Sequence, residues 1–300
     1  MSSGRRSSGR KGETMRNVVV VTDSNACLPS DLVQELDIRV VPLLLNLEGQ
    51  GLRDGVDISP TEVYRWLRAN KHIPTTAVPS VGDFVRVYAA AAQEAPGIVS
   101  IHLPPKLSAT HDVAAMASQL LDGVAIRVVN CGTAAMSQGF AVLEAARAAT
   151  AGATLDEVVR RAEEVASKTS LFFTLDTLEY LHRGGRIGGA AALAGTMLQI
   201  KPVLTLADGR IEVLAKPRTK PRALRLILRQ MGERVTGRPL HAAIFHADVP
   251  DEAEALRQRV AEQFNCVELY VTEFTPVMGA HTGPGILGVA FYAEEEEKLP

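Results

Sequence analysis

The chain has 300 residues, of which 46% are hydrophobic and 22% charged, so it holds enough aliphatic residues to bury a large core. Its formal net charge of -2 excludes a strong overall attraction to nucleic acid or to an anionic membrane surface. No stretch approaches the ~18 apolar residues of a membrane span, so none is predicted.

Residues 1–14 are rich in Ser, Gly and Arg and precede no apolar segment of the kind that a signal peptide needs. We interpret them as a disordered tail.

The three cysteines, Cys27, Cys131 and Cys266, lie far apart and form no C-x-x-C pair, so neither a zinc site nor a disulfide framework is indicated. A reducing cytoplasm fits this pattern best. We expect a cytoplasmic protein with no metal and no cofactor.

Strands and helices alternate through the first half of the chain. The run NVVVVT at residues 17–22 is short, apolar and β-branched, as is typical of a strand buried on both faces of a parallel sheet. Further strands are predicted at 38–45, 97–103 and 125–129, with helices from residue 30, at 59–68, 81–93 and 109–121, and a helix pair within 135–166. This alternation predicts a doubly wound, mainly parallel sheet.

The second half has a different pattern. Apolar runs predict strands at 171–175, 202–206, 211–215, 241–246, 267–272 and 285–292, with a helix at 250–264. Asp208-Gly209 between two of these runs is a hairpin signal. We therefore predict an α/β protein of two domains, an N-terminal α/β domain at 15–168 and a C-terminal mixed α+β domain at 169–300, with the boundary near Lys168.

A glycine-rich segment at residues 283–288 fits the dinucleotide-binding pattern G-x-G-x-x-G. That pattern binds a dinucleotide only where it joins a strand to a helix. Here the sequence VAFYA follows, which is a strand pattern, and the chain ends before a helix, a second strand or a ribose-binding acid could follow. We therefore reject a dinucleotide site.

A basic segment at residues 210–238 contains nine Lys or Arg against Glu212 and Glu233. Nucleic-acid binding is one interpretation. The interpretation we favour is a solvated helix face. That face would carry Arg222, Arg225 and Arg229 and lie opposite the apolar residues Leu224, Ile227, Leu228 and Met231. No nucleic-acid-binding motif supports the first.

Hydrolase motifs are absent from the sequence: it contains no G-x-S-x-G, H-E-x-x-H or Walker segment. Histidines such as His72 and His102 are more often surface residues or hydrogen-bonded core residues than ligands. A hydrolase is therefore only a minor hypothesis.

Four segments in order resemble the signature of the DegV family of bacterial fatty-acid-binding proteins. They are VTDSNACLP at 21–29, TTAVPSVGDF at 75–84, PPKLSATHDVA at 104–114 and GAHTGPGILG at 279–288. LHRGGRIGG and the segment from residue 200 to 220 are also similar to the family. The resemblance spans residues 16–292, and the ordered set is more specific than any one segment.

The resemblance implies a lipid carrier that encloses one long-chain fatty acid in a tunnel near the interface of its two domains. In the best-understood members of the family the carrier is the substrate-binding subunit of a fatty-acid kinase. A separate kinase protein converts the bound acid to an acyl phosphate for phospholipid synthesis. The resemblance therefore implies a ligand-binding protein that is not itself an enzyme.

Residue by residue, the family's carboxylate-binding Thr, Ser and His match Thr76, Ser108 and His281. Two family arginines match Arg186 and Arg218, and the resemblance implies a role for them at the phosphate end or in docking the kinase. Hydroxyl, imidazole and guanidinium groups can all donate to a carboxylate or phosphate, which is what a buried anion requires.

Each of these residues also has a structural interpretation. Ser108 precedes the helix predicted from Ala109, so it can be an N-cap rather than an anion-binding residue. Thr76 can belong to an ordinary turn before Pro79, His281 to a glycine-rich loop, and the arginines to the charged surface. An alternative function is an enzyme that acts on a small acid or a phosphoester through His281, Ser108 and the arginines.

The chain departs from the family pattern beside the head group. Ala77, Val78, Pro104 and Pro105 replace polar residues there, and Ala109 replaces a glycine. These changes reduce the expected number of hydrogen bonds to a carboxylate. Candidate tunnel walls are apolar residues of the second half: Leu171, Phe172, Phe173, Leu193, Met197 and Leu198.

Overall fold

The structure is a computed structural model that describes residues 16–69, 72–193 and 200–294. The predicted tail at residues 1–14 lies outside the described residues, as do the candidate wall residues Met197 and Leu198.

A four-stranded parallel sheet forms the centre of the first half. The elements there are β1 (Val18–Asp23), α1 (Ser30–Glu35), β2 (Arg39–Val41), β3 (Leu44–Leu47), β4 (Gln50–Arg53), α2 (Pro60–Ala69), β5 (Thr75–Ala77), α3 (Val81–Ala91), β6 (Gly97–His102), α4 (Thr110–Ser118), β7 (Ala125–Asn130), α5 (Ala135–Thr150) and α6 (Leu155–Lys168). The strand order is β2-β1-β6-β7. Helices α3 and α4 cover one face and α5 and α6 the other, so β1 and β6 are buried throughout. The doubly wound parallel sheet is confirmed.

The single strand predicted at residues 38–45 is wrong. The segment forms two strands, because β2 ends at Val41 and β3 begins at Leu44. Pro42 lies between them, and proline has no N–H to continue a ladder. β2 stays in the parallel sheet, whereas β3 pairs antiparallel with β4 and β5 in a small sheet of its own.

A six-stranded mixed sheet forms the second half. Its elements are β8 (Ser170–Thr174), α7 (Glu179–Arg183), β9 (Val203–Ala207), β10 (Arg210–Ala215), α8 (Lys220–Val235), β11 (Leu240–His246), α9 (Pro250–Gln263), β12 (Cys266–Glu273), α10 (Pro276–Thr282) and β13 (Leu287–Ala293). The order is β10-β9-β8-β13-β11-β12, and only β11 and β12 pair in parallel. The predicted hairpin is present, since Asp208 and Gly209 connect β9 to β10 with φ of 47° and 69°, the signs of a type I′ turn.

Helices α5 and α6 lie between the two large sheets. α5 packs on β1 and β6 of the parallel sheet and also on β13 of the mixed sheet. Twelve of its sixteen residues are therefore buried, far more than one face of a helix provides. One hydrophobic cluster, which includes Val18 and Tyr292, connects the sheets. The chain enters the second sheet directly after α6, near Lys168, and the division into two domains stays a prediction.

The glycine-rich segment at 283–288 joins α10 to β13. A helix-to-strand connection is the reverse of the turn that cradles a dinucleotide, so the rejection of that site is supported. On α8, the side chains of Arg222, Arg225 and Arg229 are exposed while Ile227 and Met231 are buried, which matches the solvated face predicted for this helix.

Candidate functional site

An apolar cavity lies between the two large sheets. Its empty volume is about 870 Å³, including the part that opens to solvent, which is in the range of small-molecule sites. Strand β8, strand β11 and helix α10 contribute to the wall, together with the β9–β10 hairpin and the loop that precedes α4. Its buried apolar lining includes Leu171, Phe173, Phe245, Phe274, Val277 and Ile286.

Four of the five predicted site residues line this cavity: Thr76, Ser108, Arg186 and His281. All four are half-buried, whereas most of the apolar residues in the lining are buried. The cavity thus has an apolar interior and polar groups where it approaches solvent. This division suits a ligand with one charged end and a long apolar body.

Thr76 and His281 are in direct contact although 205 residues separate them. Thr76 Oγ1 lies 2.8 Å from His281 Nε2, with the donor set by the histidine tautomer. Thr76 belongs to β5, where it pairs with Leu45 of the small sheet, so it is not part of an ordinary turn. His281 was expected in a glycine-rich loop, and this expectation is wrong, because the residue lies in the last turn of α10.

Helix α10 is anchored by residues that the sequence did not single out. Asp54 Oδ1 accepts a hydrogen bond of 2.8 Å from the backbone N–H of Val277, in the first turn of the helix. Ser24 Oγ donates to the other carboxylate oxygen of Asp54 at 2.6 Å. Burial raises the pKa of Asp54, while these hydrogen bonds oppose the rise. The VTDS segment therefore helps to position the helix that carries His281.

The surroundings of His281 favour the neutral form of its imidazole. Burial, followed by the positive charge of Arg186, lowers its pKa to about 4. Its Nδ1 is buried without a hydrogen-bond partner. A Cβ at Gly184 would lie 2.5 Å from this Nδ1, so the absence of a side chain at residue 184 makes room for the ring. An anion beside the imidazole would raise its pKa again.

Arg186 hydrogen-bonds to two backbone carbonyls. Its Nε donates to the carbonyl of Leu107 at 3.1 Å and its Nη1 donates to the carbonyl of Gly184 at 2.7 Å. Within residues 16–69, 72–193 and 200–294 no carboxylate forms an ion pair with it. A half-buried guanidinium that contacts only carbonyls and an apolar cavity is well suited to an incoming carboxylate or phosphate.

Ser108 lies between the cavity and the start of α4. Its Oγ is 2.8 Å from Thr110 Oγ1 and accepts a hydrogen bond from the Thr110 N–H at 3.3 Å. The helix begins at Thr110, with Ala109 in the N-cap position, one residue later than predicted. Ser108 is therefore not the N-cap residue, although its hydroxyl accepts from the first amide of the helix and the residue also lines the cavity.

Arg218 is separate from the other four. It lies exposed between β10 and α8 and is not part of the cavity lining.

The positions at which the chain departs from the family pattern lie in two places. Ala77 and Val78 line the cavity, whereas Pro104 packs against Gly209 of the β9–β10 hairpin. The polar end of the cavity thus has apolar side chains beside Thr76.

Two of the residues predicted as tunnel walls line the cavity, and two others do not. Leu171 and Phe173 line the cavity, but Phe172 packs in the other hydrophobic cluster against α8, because neighbouring residues of a strand face opposite sides of the sheet. Leu193 is buried in the core that includes Leu171 but is not part of the lining. Asn25, which the sequence did not single out, also lines the cavity.

A buried Asp–His–Ser arrangement lies near the cavity but is sealed from it. His102 Nδ1 is 2.7 Å from Asp23 Oδ2, and its Nε2 is 2.7 Å from Ser100 Oγ, which also accepts from Tyr88. All three residues are 0% exposed and none lines the cavity. His102 is thus a hydrogen-bonded core residue, as predicted, and no substrate can reach this serine in the described fold.

The described residues also contain no group of three His, Cys, Asp or Glu side chains that could hold a metal ion. Among the same residues, no helix has the length and hydropathy required to cross a membrane.

Comparisons with known proteins agree with one another. The family model described as "Uncharacterised protein, DegV family" matches residues 17–294. A DegV domain-containing protein of Streptomyces coelicolor is 43% identical over 276 residues, 91% of this chain and 98% of that protein. A solved structure from Thermus thermophilus, described as fatty-acid binding of a DegV family protein, has a TM-score of 0.88 and 39% identity, covering 93% of this chain and all of the other. DegV of Bacillus subtilis, described as a fatty acid binding protein, has a TM-score of 0.86 and 28% identity over the same shares.

Proposed function

The chain belongs to the DegV family, and we propose that it binds one long-chain fatty acid in the cavity and holds the carboxylate with Thr76, Ser108, His281 and Arg186. The observation that carries this proposal is the convergence of these four polar residues, from four separate segments, on one apolar cavity. The similarity to DegV proteins described as fatty-acid binding supports the same ligand.

The head group needs several partners because an ionised carboxylate is costly to bury alone. Thr76 and Ser108 each offer a hydroxyl, and Arg186 offers charge together with a forked set of donors. His281 Nε2 lies 2.8 Å from Thr76 Oγ1, so a carboxylate that accepts from both groups would replace the hydrogen bond between them. Negative charge there would favour the protonated imidazole and a second favourable charge interaction.

The acyl chain would supply most of the affinity. Burying a methylene contributes ~0.8 kcal/mol, so some fifteen methylenes amount to about 12 kcal/mol before the costs of ordering the chain and the protein. Retention of half this value still gives useful binding. The apolar lining from β8, β11 and α10 is appropriate for such a chain because it presents few polar groups.

The contacts of the polar residues favour a carrier over an enzyme that acts by itself. Ser108 Oγ is hydrogen-bonded to Thr110, and His281 is hydrogen-bonded to Thr76, so the serine is not positioned against a general base. The low pKa of His281 also makes it a weak base. These features support binding without turnover.

We further propose that a separate kinase phosphorylates the bound acid to an acyl phosphate for phospholipid synthesis in the cytoplasm. The half-buried position of the four polar residues would leave a carboxylate oxygen accessible to a partner. Arg218 is exposed and outside the lining, which is compatible with contact to that partner. The free cysteines, two of them buried, are compatible with a reducing compartment.

Lipid extraction tests the carrier function. The protein is purified without added lipid, denatured and analysed by mass spectrometry for released acyl chains, and a delipidated sample is titrated with a fluorescent fatty acid. We expect close to one fatty acid per chain and saturable binding. Absence of both released lipid and binding would refute the proposal, whereas turnover of esters or phosphoesters by the isolated protein would favour the enzyme.

A further inference from the structure

Asn25 is a deeply buried polar residue in the wall of the apolar cavity. It lies in the short 3-10 turn directly after β1 and is only 2% exposed, whereas Thr76, Ser108, Arg186 and His281 are half-buried. Asn25 is therefore the most deeply buried polar residue of the lining.

Hydrogen bonds fix the orientation of the Asn25 amide. Gln138 Nε2 donates to Thr22 Oγ1 at 3.0 Å and lies 3.3 Å from both Asp23 Oδ2 and the Ile101 carbonyl. A carboxylate and a carbonyl can only accept, so the amide nitrogen of Gln138 must face them, and its Oε1 faces Asn25. Asn25 Nδ2 donates to this Oε1 at 2.8 Å. Asn25 Oδ1 is thereby fixed as a separate acceptor.

Asn25 Oδ1 accepts no hydrogen bond from any residue that the structure describes. An unsubstituted acyl chain offers only methylenes and would leave the oxygen unpaired, which costs free energy in an apolar site. A hydroxyl on the chain can donate to the oxygen and meet this requirement.

We propose that Asn25 selects acyl chains that carry a hydroxyl group, so that the preferred ligand is a hydroxy fatty acid. This inference rests on the proposed function, since it assumes that an acyl chain occupies the cavity. A trapped water is the competing occupant for the oxygen, because a water can also donate to it. The two differ in their prediction: only a site for a chain hydroxyl gives tighter binding of a hydroxylated ligand.

Competition binding to the delipidated protein distinguishes them. The panel consists of stearate and of stearates that carry a single hydroxyl, each at a different carbon, with the matching methoxy compounds as controls. We expect one hydroxyl position to bind about tenfold more tightly than stearate, as for one added hydrogen bond. The methoxy compound at that position should show no gain, because an ether oxygen cannot donate.

Variants assign the preference to Asn25. Asn25→Leu should bring the ratio of hydroxystearate to stearate affinity to about one. Thr282→Val is the matched control, because Thr282 also lines the cavity but its hydroxyl already donates to the Met278 carbonyl at 2.9 Å, and the ratio should persist. If Asn25→Leu does not fold, the comparison of hydroxy and methoxy ligands on the unmodified protein decides.

The outcomes separate this inference from the proposed function. Binding of stearate with no gain from any hydroxyl position would overturn the role of Asn25 and leave the carrier function intact. A gain that persists in Asn25→Leu, or that the methoxy compound shares, would also overturn it. Failure of every acid in the panel to bind, stearate included, would overturn the proposed function and this inference with it.

Discussion

Replacement of His281 by alanine should weaken the binding of a fatty acid without affecting an uncharged chain of the same length. The substitution removes the imidazole whose Nε2 lies 2.8 Å from Thr76 Oγ1, and with it one proposed partner of the carboxylate. A hydrogen bond to a charged group contributes about 1.5–3 kcal/mol. The Kd of palmitate should therefore rise by about 10- to 100-fold.

Titration calorimetry on delipidated protein can measure this effect with two ligands. Palmitate carries the carboxylate, whereas hexadecanol has the same chain and no charge, so its Kd should change little. His111→Ala serves as the control variant, because His111 pairs with Asp112 outside the cavity and its removal should alter neither Kd. Equal losses for the acid and the alcohol would refute the reasoning, since the substitution would then act by collapsing the cavity.

Three further predictions follow from the same geometry. Gly184→Ala adds a Cβ within 2.5 Å of His281 Nδ1 and should weaken palmitate binding by displacing the ring, and an unchanged Kd would show that the ring position is unimportant. Phe173→Ala should change the chain-length preference measured with saturated acids. Phe172→Ala, on the opposite face of β8, should lower the free energy of unfolding and leave that preference unchanged. Equal chain-length preferences in the two variants would contradict this prediction. The pKa of His281 is lowered from 6.5 to about 4, so between these values the unfolded chain binds a proton that the folded chain does not. The free energy of unfolding therefore falls as the pH decreases through this range. Urea unfolding should show a loss of about 2 kcal/mol between pH 7 and 5 that is absent in His281→Gln, and an equal loss in both proteins would contradict the assignment.

The sequence predicted the parallel sheet well because the buried strands have a strong local signal. The run at 17–22 is continuously apolar and β-branched, and β1 is buried on every residue. The Asp208-Gly209 turn was equally predictable, since two successive positive φ angles favour this pair. The break at Pro42 was missed, although the lost N–H of proline was a local signal for it.

Helix α10 could not be predicted from local preference. It has seven residues and includes Gly279, a poor helix former, so its composition favours a loop. Pro276 in its first turn is compatible with a helix start. The hydrogen bond from Val277 N–H to Asp54 comes from a residue more than 200 positions earlier in the chain. Tertiary contacts therefore decide the conformation around His281.

The candidate site could be predicted only through the ordered motifs. Thr76 and His281 meet because the small sheet and α10 pack together, and neither strand nor helix periodicity carries this information. Phe172 was grouped with Leu171 and Phe173 by composition, but the alternation of side chains along a strand sends it to the other face. Asn25 was missed because its unpaired oxygen is visible only once Gln138 is placed beside it.

The central claim is that the cavity holds a fatty acid by its carboxylate, and ¹³C NMR of palmitate labelled at the carboxyl carbon tests it most directly. With delipidated protein we predict one saturable bound resonance, distinct from free palmitate, that stays in its ionised position to lower pH than free acid because hydroxyls and Arg186 stabilise the anion. His281→Ala should shift this resonance, since the imidazole is one of the carboxylate's proposed partners. Absence of a bound resonance, or a bound carboxyl that titrates like the free acid and is insensitive to His281→Ala, would contradict the account.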